Sequence, residues 1–230
     1  MRLPAVSALL TLLLASSALA EVPTLSQPAN VGEAKIAATA YRASGAYERD
    51  LAAVAAEATA WIRSRAGEVE KPAIVLDIDD TALSNWTAIV ANDYGRVFGG
   101  TCNVLPEGPC GWVAWDLRAE APAIESTRAL YEHARALGVS VFFITGRDQT
   151  QRAATEENLG ATGYGDHAGL YMTPVGEHYP SAADFKAPVR SAIEAEGYTI
   201  IANIGDQPSD LEGGHAEKTF LLPNPFYRIP

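Results

Sequence analysis

Basic residues are scarce in this chain. Seventeen Lys and Arg stand against 28 Asp and Glu among 230 residues, for a formal net charge of -11. No Lys/Arg cluster interrupts that deficit. Nothing is positioned to neutralise a phosphate backbone, so nucleic acid is excluded as a partner. Internal repeats and low-complexity tracts are absent too. Cysteine is limited to Cys102 and Cys110. A metal site on that pair would need further ligands, and no His lies in the stretch between them. The intervening NVLPEGP is turn-rich and can close a small loop. In an exported chain an even pair of this kind is expected to be a disulfide. The four histidines, His133, His167, His178 and His215, show no metal-ligand spacing and read as surface or loop residues.

A long apolar run occurs only at the start, in MRLPAVSALLTLLLASSALA. One Arg, an apolar core and Ala18-Leu19-Ala20 form the layout of a secretory signal peptide, with cleavage expected after Ala20. The core is shorter than the roughly 20 residues of a membrane span, which disfavours a retained anchor. No Cys follows the cleavage point, so a lipid-anchored form is not supported. The expected location is the periplasm or the exterior, and removal of Arg2 makes the chain more acidic still. What remains suits one domain with a real core.

Residues 31–66 repeat apolar positions at three and four, through Ile36, Ala40, Tyr41, Leu51, Val54, Ala58 and Ile62. That predicts two helices broken near Gly45, an N-terminal helical extension over 21–72 whose aromatics serve packing. After Pro72 the texture changes. AIVLDI (73–78), VSVFFIT (139–145), GLYMT (169–173), YTIIANIGD (198–206) and KTFLLP (218–223) read as strands. Helices are expected over 122–137, 148–159 and 182–196. The alternation predicts an α/β fold: a Rossmann-like parallel sheet with helices on both faces over 73–230. In such sheets ligands collect at the carboxyl ends of the strands. Asp77, Thr145 and Asp206 fall at three such ends, and Lys186 lies on the helix before the fourth strand.

DIDDT (77–81), FFITGR (142–147), the lysine of DFKAPVR (Lys186) and NIGDQPSD (203–210) together resemble the four motifs of the haloacid dehalogenase superfamily. ITGR, NIGDQPSDL and LPNPFY (222–227) narrow the resemblance. They point to the secreted acid phosphatases related to class B bacterial enzymes and plant vegetative storage proteins. The resemblance covers nearly all of 31–230. It implies that Asp77, Asp79 and Asp206 hold a metal, with Asp79 giving its backbone carbonyl. Asp210 then orients water or Lys186. Glu often stands in the family where this chain has Asp80.

The residues themselves support the same chemistry. Carboxylates that would otherwise repel one another make a hard oxygen site suited to Mg²⁺. Asp77 can attack phosphorus to give an aspartyl-phosphate. Asp79 can serve as general acid and then base. An Asp there, where ion-pump relatives have Thr, implies turnover of the phosphoenzyme and hence a phosphatase. Thr145 can donate its hydroxyl to a phosphoryl oxygen, and backbone N–H groups can cradle the others, which makes Gly146 a further phosphate-binding candidate. Lys186 supplies a full charge there, and Arg147 either contacts the phosphate or pairs with a nearby acid.

The stretch Ala82–Ala121 is long enough to be a small cap insertion. Its aromatics Trp86, Tyr94, Phe98, Trp112 and Trp115 either stack on a leaving group or, as the default, fill the cap's own core. The NWT triplet at 85–87 matches a glycosylation sequon but lies too near the site to be favoured. The expected activity is hydrolysis of small phosphomonoesters in an exported, Mg²⁺-dependent acid phosphatase. Phosphotransfer to an alcohol and a non-catalytic storage role are the rivals, and homo-oligomerisation stays open.

Overall fold

The computed structural model describes residues 28–230, so the expected signal peptide lies outside the described residues. Helices α1 (Val31–Ala43) and α2 (Ala46–Arg65) are separated at Gly45, which takes a left-handed φ of 70°. Glycine adopts that conformation without a Cβ penalty. Five strands follow: β1 (Pro72–Leu76), β2 (Ser140–Asp148), β3 (Gly169–Thr173), β4 (Thr199–Gly205) and β5 (Thr219–Leu221). They form one parallel sheet in the order β3-β2-β1-β4-β5. Strand order reverses at β1, which pairs with both β2 and β4, so the switch point lies at the carboxyl ends of β1 and β4.

The sheet is covered on both faces, as its continuous apolar strands require. Within β1, Ile74 and Leu76 point into a core shared with Leu51 of α2 and Leu130 of α5 (Glu125–Ala136). Ala73 and Val75 point the other way, into a smaller core with Ile193 of α7 (Ala182–Ala195). The N-terminal helices thus complete one layer of the sandwich. Tyr47 is buried, and Trp61 Nε1 donates to the carbonyl of Ile201 in β4 at 2.7 Å.

α5 begins at Glu125 rather than Pro122, because Ala123 pairs with Leu83 in an isolated bridge. That bridge, with Ser84 N–H donating to Pro122 O (2.8 Å) and Ile124 N–H to Ala82 O (2.8 Å), stitches the two ends of the insertion together. Inside it lie two short helices, α3 (Trp86–Ala91) and α4 (Trp112–Asp116), and a loop closed by the Cys102–Cys110 disulfide. Closing a loop of sequence separation 8 stabilises the fold by about 2–3 kcal/mol through the unfolded chain's lost entropy. The double substitution Cys102→Ser/Cys110→Ser is therefore expected to lower the urea midpoint correspondingly. An unchanged midpoint would refute the loop-closure account. A helix α6 (Arg152–Ala161) follows a 3-10 turn at Gln149–Gln151, and a four-residue helix, α8 (Pro208–Leu211), follows β4. Among the described residues no helix is long and apolar enough to cross a membrane.

Candidate active site

A cleft of about 510 Å³ opens at the carboxyl edge of the sheet. Asp77, Asp79, Asp116, Asp206 and Asp210 line it, with Lys186 and Arg147 as buried cations beside them. Asp80 is buried just beneath. Six carboxylates therefore face two buried cationic side chains, and their placement shows how the imbalance is handled.

Asp77 follows β1 directly and its N–H is tied to Ile204 O of β4 at 3.0 Å. Its Oδ1 pairs with Lys186 Nζ, whose other partner is Asp210 Oδ1 at 2.7 Å. Burial, with Asp210 and Asp79 adding repulsion, pushes the Asp77 carboxyl up to about 7 against the pull of Lys186. Burial also works against the Lys186 charge, but Asp210 and Asp77 outweigh it and hold the ammonium firmly protonated.

Asp206, just past β4, has amide and hydroxyl donors only. Gln207 Nε2 and Asn224 Nδ2 reach Oδ2, each at 2.6 Å, and Thr81 Oγ1 reaches Oδ1 at 3.3 Å. No Lys or Arg pairs with it among the described residues. Burial, then repulsion from Asp210, Asp77 and Asp80, raises it well above the usual carboxylate range. Oxygens of Asp77, Asp206 and Asp210 all lie within 4.8 Å of one another. Three buried hard donors with one carboxylate left uncompensated fit a small divalent cation.

Gly205 permits this arrangement. A Cβ there would stand 2.5 Å from Asp210 Cβ and 2.6 Å from Asp210 Oδ2. Asp210 Oδ2 also accepts the Gln207 N–H at 3.0 Å, which fixes the turn. Gly205→Ala is expected to push Asp210 off Lys186 and cut kcat/KM for any phosphate ester about 10- to 100-fold. Steady-state kinetics on the purified variant checks this, and a wild-type value would refute it.

Asp79 is held by a cation and an amide. Arg147 grips it through Nη2 to Oδ1 (2.7 Å) and Nε to Oδ2 (3.2 Å), and Asn85 Nδ2 donates to Oδ1 at 2.9 Å. Burial alone would raise this carboxyl, but Arg147 and then Asn85 hold it below its ordinary value. Its side chain is thus turned to Arg147, outside the carboxylate cluster at Asp206, and as a metal position only its backbone carbonyl remains. Arg147 is itself buried and occupied, with Nη1 also donating to Thr155 at 3.3 Å. Of the two readings of Arg147, pairing with a nearby acid is the contact present here, and Arg147 also lines the cleft. Thr145 is fully buried and does not line the cleft, whereas Gly146 does. Thr145 Oγ1 accepts the Arg147 N–H at 3.2 Å.

A family model described as the HAD superfamily, subfamily IIIB (acid phosphatase), matches residues 9–230. The chain belongs to this family. The assignment indicates a phosphomonoester hydrolase. Acid phosphatase 1 of Solanum lycopersicum is 32% identical over 192 residues, covering 82% of this chain and 72% of that protein. The stem 28 kDa glycoprotein of Glycine max is 35% identical over 163 residues, covering 69% of this chain. Vegetative storage protein 1 of Arabidopsis thaliana is 32% identical over 156 residues, covering 68%. The chain spans 61% and 55% of those last two proteins. Among solved structures, a class C acid phosphatase from Bacillus anthracis with tungstate bound superposes with a TM-score of 0.67. It has 21% identity over 85% of each chain, which shows the shared fold.

Several contacts of this acid phosphatase site carry no signal in the sequence. Asn85 is fully buried: besides Asp79, it meets Asp80 and accepts from Trp115 Nε1 at 2.8 Å. That removes it as a glycosylation acceptor. Asp80 adopts a φ of 55°, which Asp tolerates better than most residues. Its carboxylate takes the Asn85 N–H at 3.0 Å and the Tyr227 hydroxyl at 2.8 Å. Arg190 donates to the carbonyls of Asp210, Glu212 and Gly214, clamping the loop after β4. The cap aromatics divide: Trp86 and Tyr94 pack with Phe226, while Phe98 and Trp112 line the cleft with Arg96 over both rings. Of the histidines, His178 lies at the cleft wall.

Proposed function

We propose that the chain is an exported, Mg²⁺-dependent acid phosphatase that hydrolyses phosphomonoesters through an aspartyl-phosphate on Asp77. One observation supports this most directly. Asp77 stands buried at a sheet switch point, on one side of Lys186, beside a carboxylate cluster with too little positive charge. Asp77, Asp206 and Asp210 would hold the ion, which when bound supplies charge neutralisation for the carboxylates and the incoming phosphate dianion.

The chain's own groups do the rest. Lys186 carries its charge between Asp77 and the phosphoryl oxygens and, anchored on Asp210, cannot swing away. Gly146 lines the cleft at the irregular end of β2, which supports its N–H as a cradle for a phosphoryl oxygen. Asp77 attacks phosphorus as the ester oxygen departs. Asp79 gives that oxygen a proton, then takes one from the water that attacks the aspartyl-phosphate. Arg147 favours its ionised form, so protonation for the first step is promoted by acid, in keeping with an acid phosphatase. The leader over 1–20 supports export.

The test is phosphate release from p-nitrophenyl phosphate at mildly acidic pH by residues 21–230, with Mg²⁺ or with EDTA. Metal-dependent release supports the reading. No release by folded, Mg²⁺-loaded protein over a panel of nucleotide, sugar and aryl phosphates would overturn it in favour of a storage role.

A further inference from the structure

Arg147 serves two acids. Its Nη2 lies 2.7 Å from Asp79 Oδ1 and 3.2 Å from Asp116 Oδ1. Asp116 comes from α4, within the insertion, and is 3% exposed. Gln151 Nε2 donates to its Oδ2 at 2.7 Å, yet Oδ1 accepts no hydrogen bond although it is sealed from solvent. A buried carboxylate with an unfilled oxygen is destabilising, and an apolar side chain of similar volume would pack at that point without the desolvation penalty. The packing of the cap gives no reason for a charge there: its neighbours on α4 are Trp112 and Trp115, both buried. Burial and the neighbouring Asp79 push its carboxyl up to about 8 against the pull of Arg147, and Arg147 is the one cation paired with it among the described residues.

Asp79 shows what that pairing does. Oδ1 already accepts from Arg147 Nη2 and Asn85, whereas Oδ2 has only the longer bond from Arg147 Nε. Oδ2 is therefore the oxygen with capacity left for a proton. Which oxygen that is depends on the plane of the guanidinium, and three contacts set the plane: Thr155 on Nη1, the Asp79 carboxylate itself, and Asp116 behind Nη2. Without Asp116 the Nη2 end is fixed from one side only.

We propose that Asp116 is a positioning residue for proton transfer: from the cap it holds Arg147 so that Oδ2 of Asp79 faces the leaving-group oxygen. The inference rests on the acid–base role proposed above for Asp79. It makes α4, through Asp116, the part of the cap whose seating governs departure of the leaving group.

The readout is sensitivity to the leaving group. p-Nitrophenolate departs without a proton, whereas an alkoxide needs one. A well-placed acid contributes about 10²- to 10⁴-fold. We expect Asp116→Leu to lower kcat/KM for propyl phosphate at least about 10-fold more than for p-nitrophenyl phosphate. Asp116→Asn, which keeps the shape and one acceptor, is expected to move the ratio the same way by less, and it carries the test if the Leu variant fails to fold. In an Asp79→Asn background neither substitution should move the ratio further. Equal losses on both esters, or no loss on either, would overturn the proposal, since a purely structural role affects both alike. If Asp79→Asn itself leaves the ratio at the wild-type value, the acid–base role fails. If Asp79→Asn moves it and the Asp116 variants do not, the positioning inference alone fails.

Discussion

Asp77→Asn is expected to abolish turnover, with kcat/KM falling on the order of 10⁴-fold or more for every phosphate ester. The size follows from what is removed. The side chain keeps its volume and an oxygen for Lys186, so the fold and the cleft survive. It loses the nucleophile, and no other group in the cleft can replace it: Asp206 and Asp210 belong to the next strand's turn, and Asp79 is gripped by Arg147. Single-turnover kinetics with excess enzyme separates this from a binding defect. Wild-type protein should release p-nitrophenolate in a single fast phase and pass through a trappable acyl-phosphate, and the variant should do neither. Retention of more than about one per cent of the rate would sink Asp77 as nucleophile. An EDTA-treated wild type should resemble the variant at acidic pH. Burial holds the metal-free Asp77 carboxyl up to about 7, so below that it is protonated and cannot attack.

Local order in the sequence makes the centre of this site readable, and distance in sequence hides its rim. Asp77 and Asp206 are placed by the strands that precede them, and an apolar strand announces its own end. Lys186 is placed by a helix with a capping box from Ser181, which is also local. The pairing of Arg147 with Asp79 spans 68 residues, and that of Asp116 with Arg147 likewise joins the insertion to the end of β2. No periodicity encodes such pairings, so an even choice for Arg147 was the most that the sequence supported. Asn224 is a similar case. LPNPFY is visible as a pattern, but that its Asn reaches back 18 residues to Asp206 follows only from the chain's return after β5. The helical extension shows the same limit. Its period is plain, whereas its place as a layer over β4 rests on Trp61 reaching 140 residues on, to Ile201.

Asp206→Asn is expected to stabilise the metal-free protein while destroying its metal response, two effects of opposite sign from one atom. In the native state Asp206 is raised well above its unfolded value by burial and by Asp210, Asp77 and Asp80. The folded form then holds a proton that the unfolded form has released, over the range from about pH 4 up to the raised value. Stability therefore falls as pH rises through that range, and metal-free wild type should melt lower at pH 8 than at pH 5. Asparagine has no charge to release, so the variant's melting temperature should vary less with pH. At pH 8 it should exceed the wild type by a few degrees, on the scale of about 2–4 °C per kcal/mol for a domain of this size. Addition of Mg²⁺ reverses the order. Saturating the wild type at about 100 times its Kd adds about 2.7 kcal/mol, and the variant, short of one of three carboxylate charges, should gain little. Thermal melts at the two pH values, with and without Mg²⁺, give the four numbers required. A variant that melts lower than the wild type without metal, yet still shifts upward with Mg²⁺, would show that Asp206 is a structural carboxylate and that the ion sits elsewhere. The expected pattern would show instead that the repulsion at this sheet edge is retained because it is the binding site.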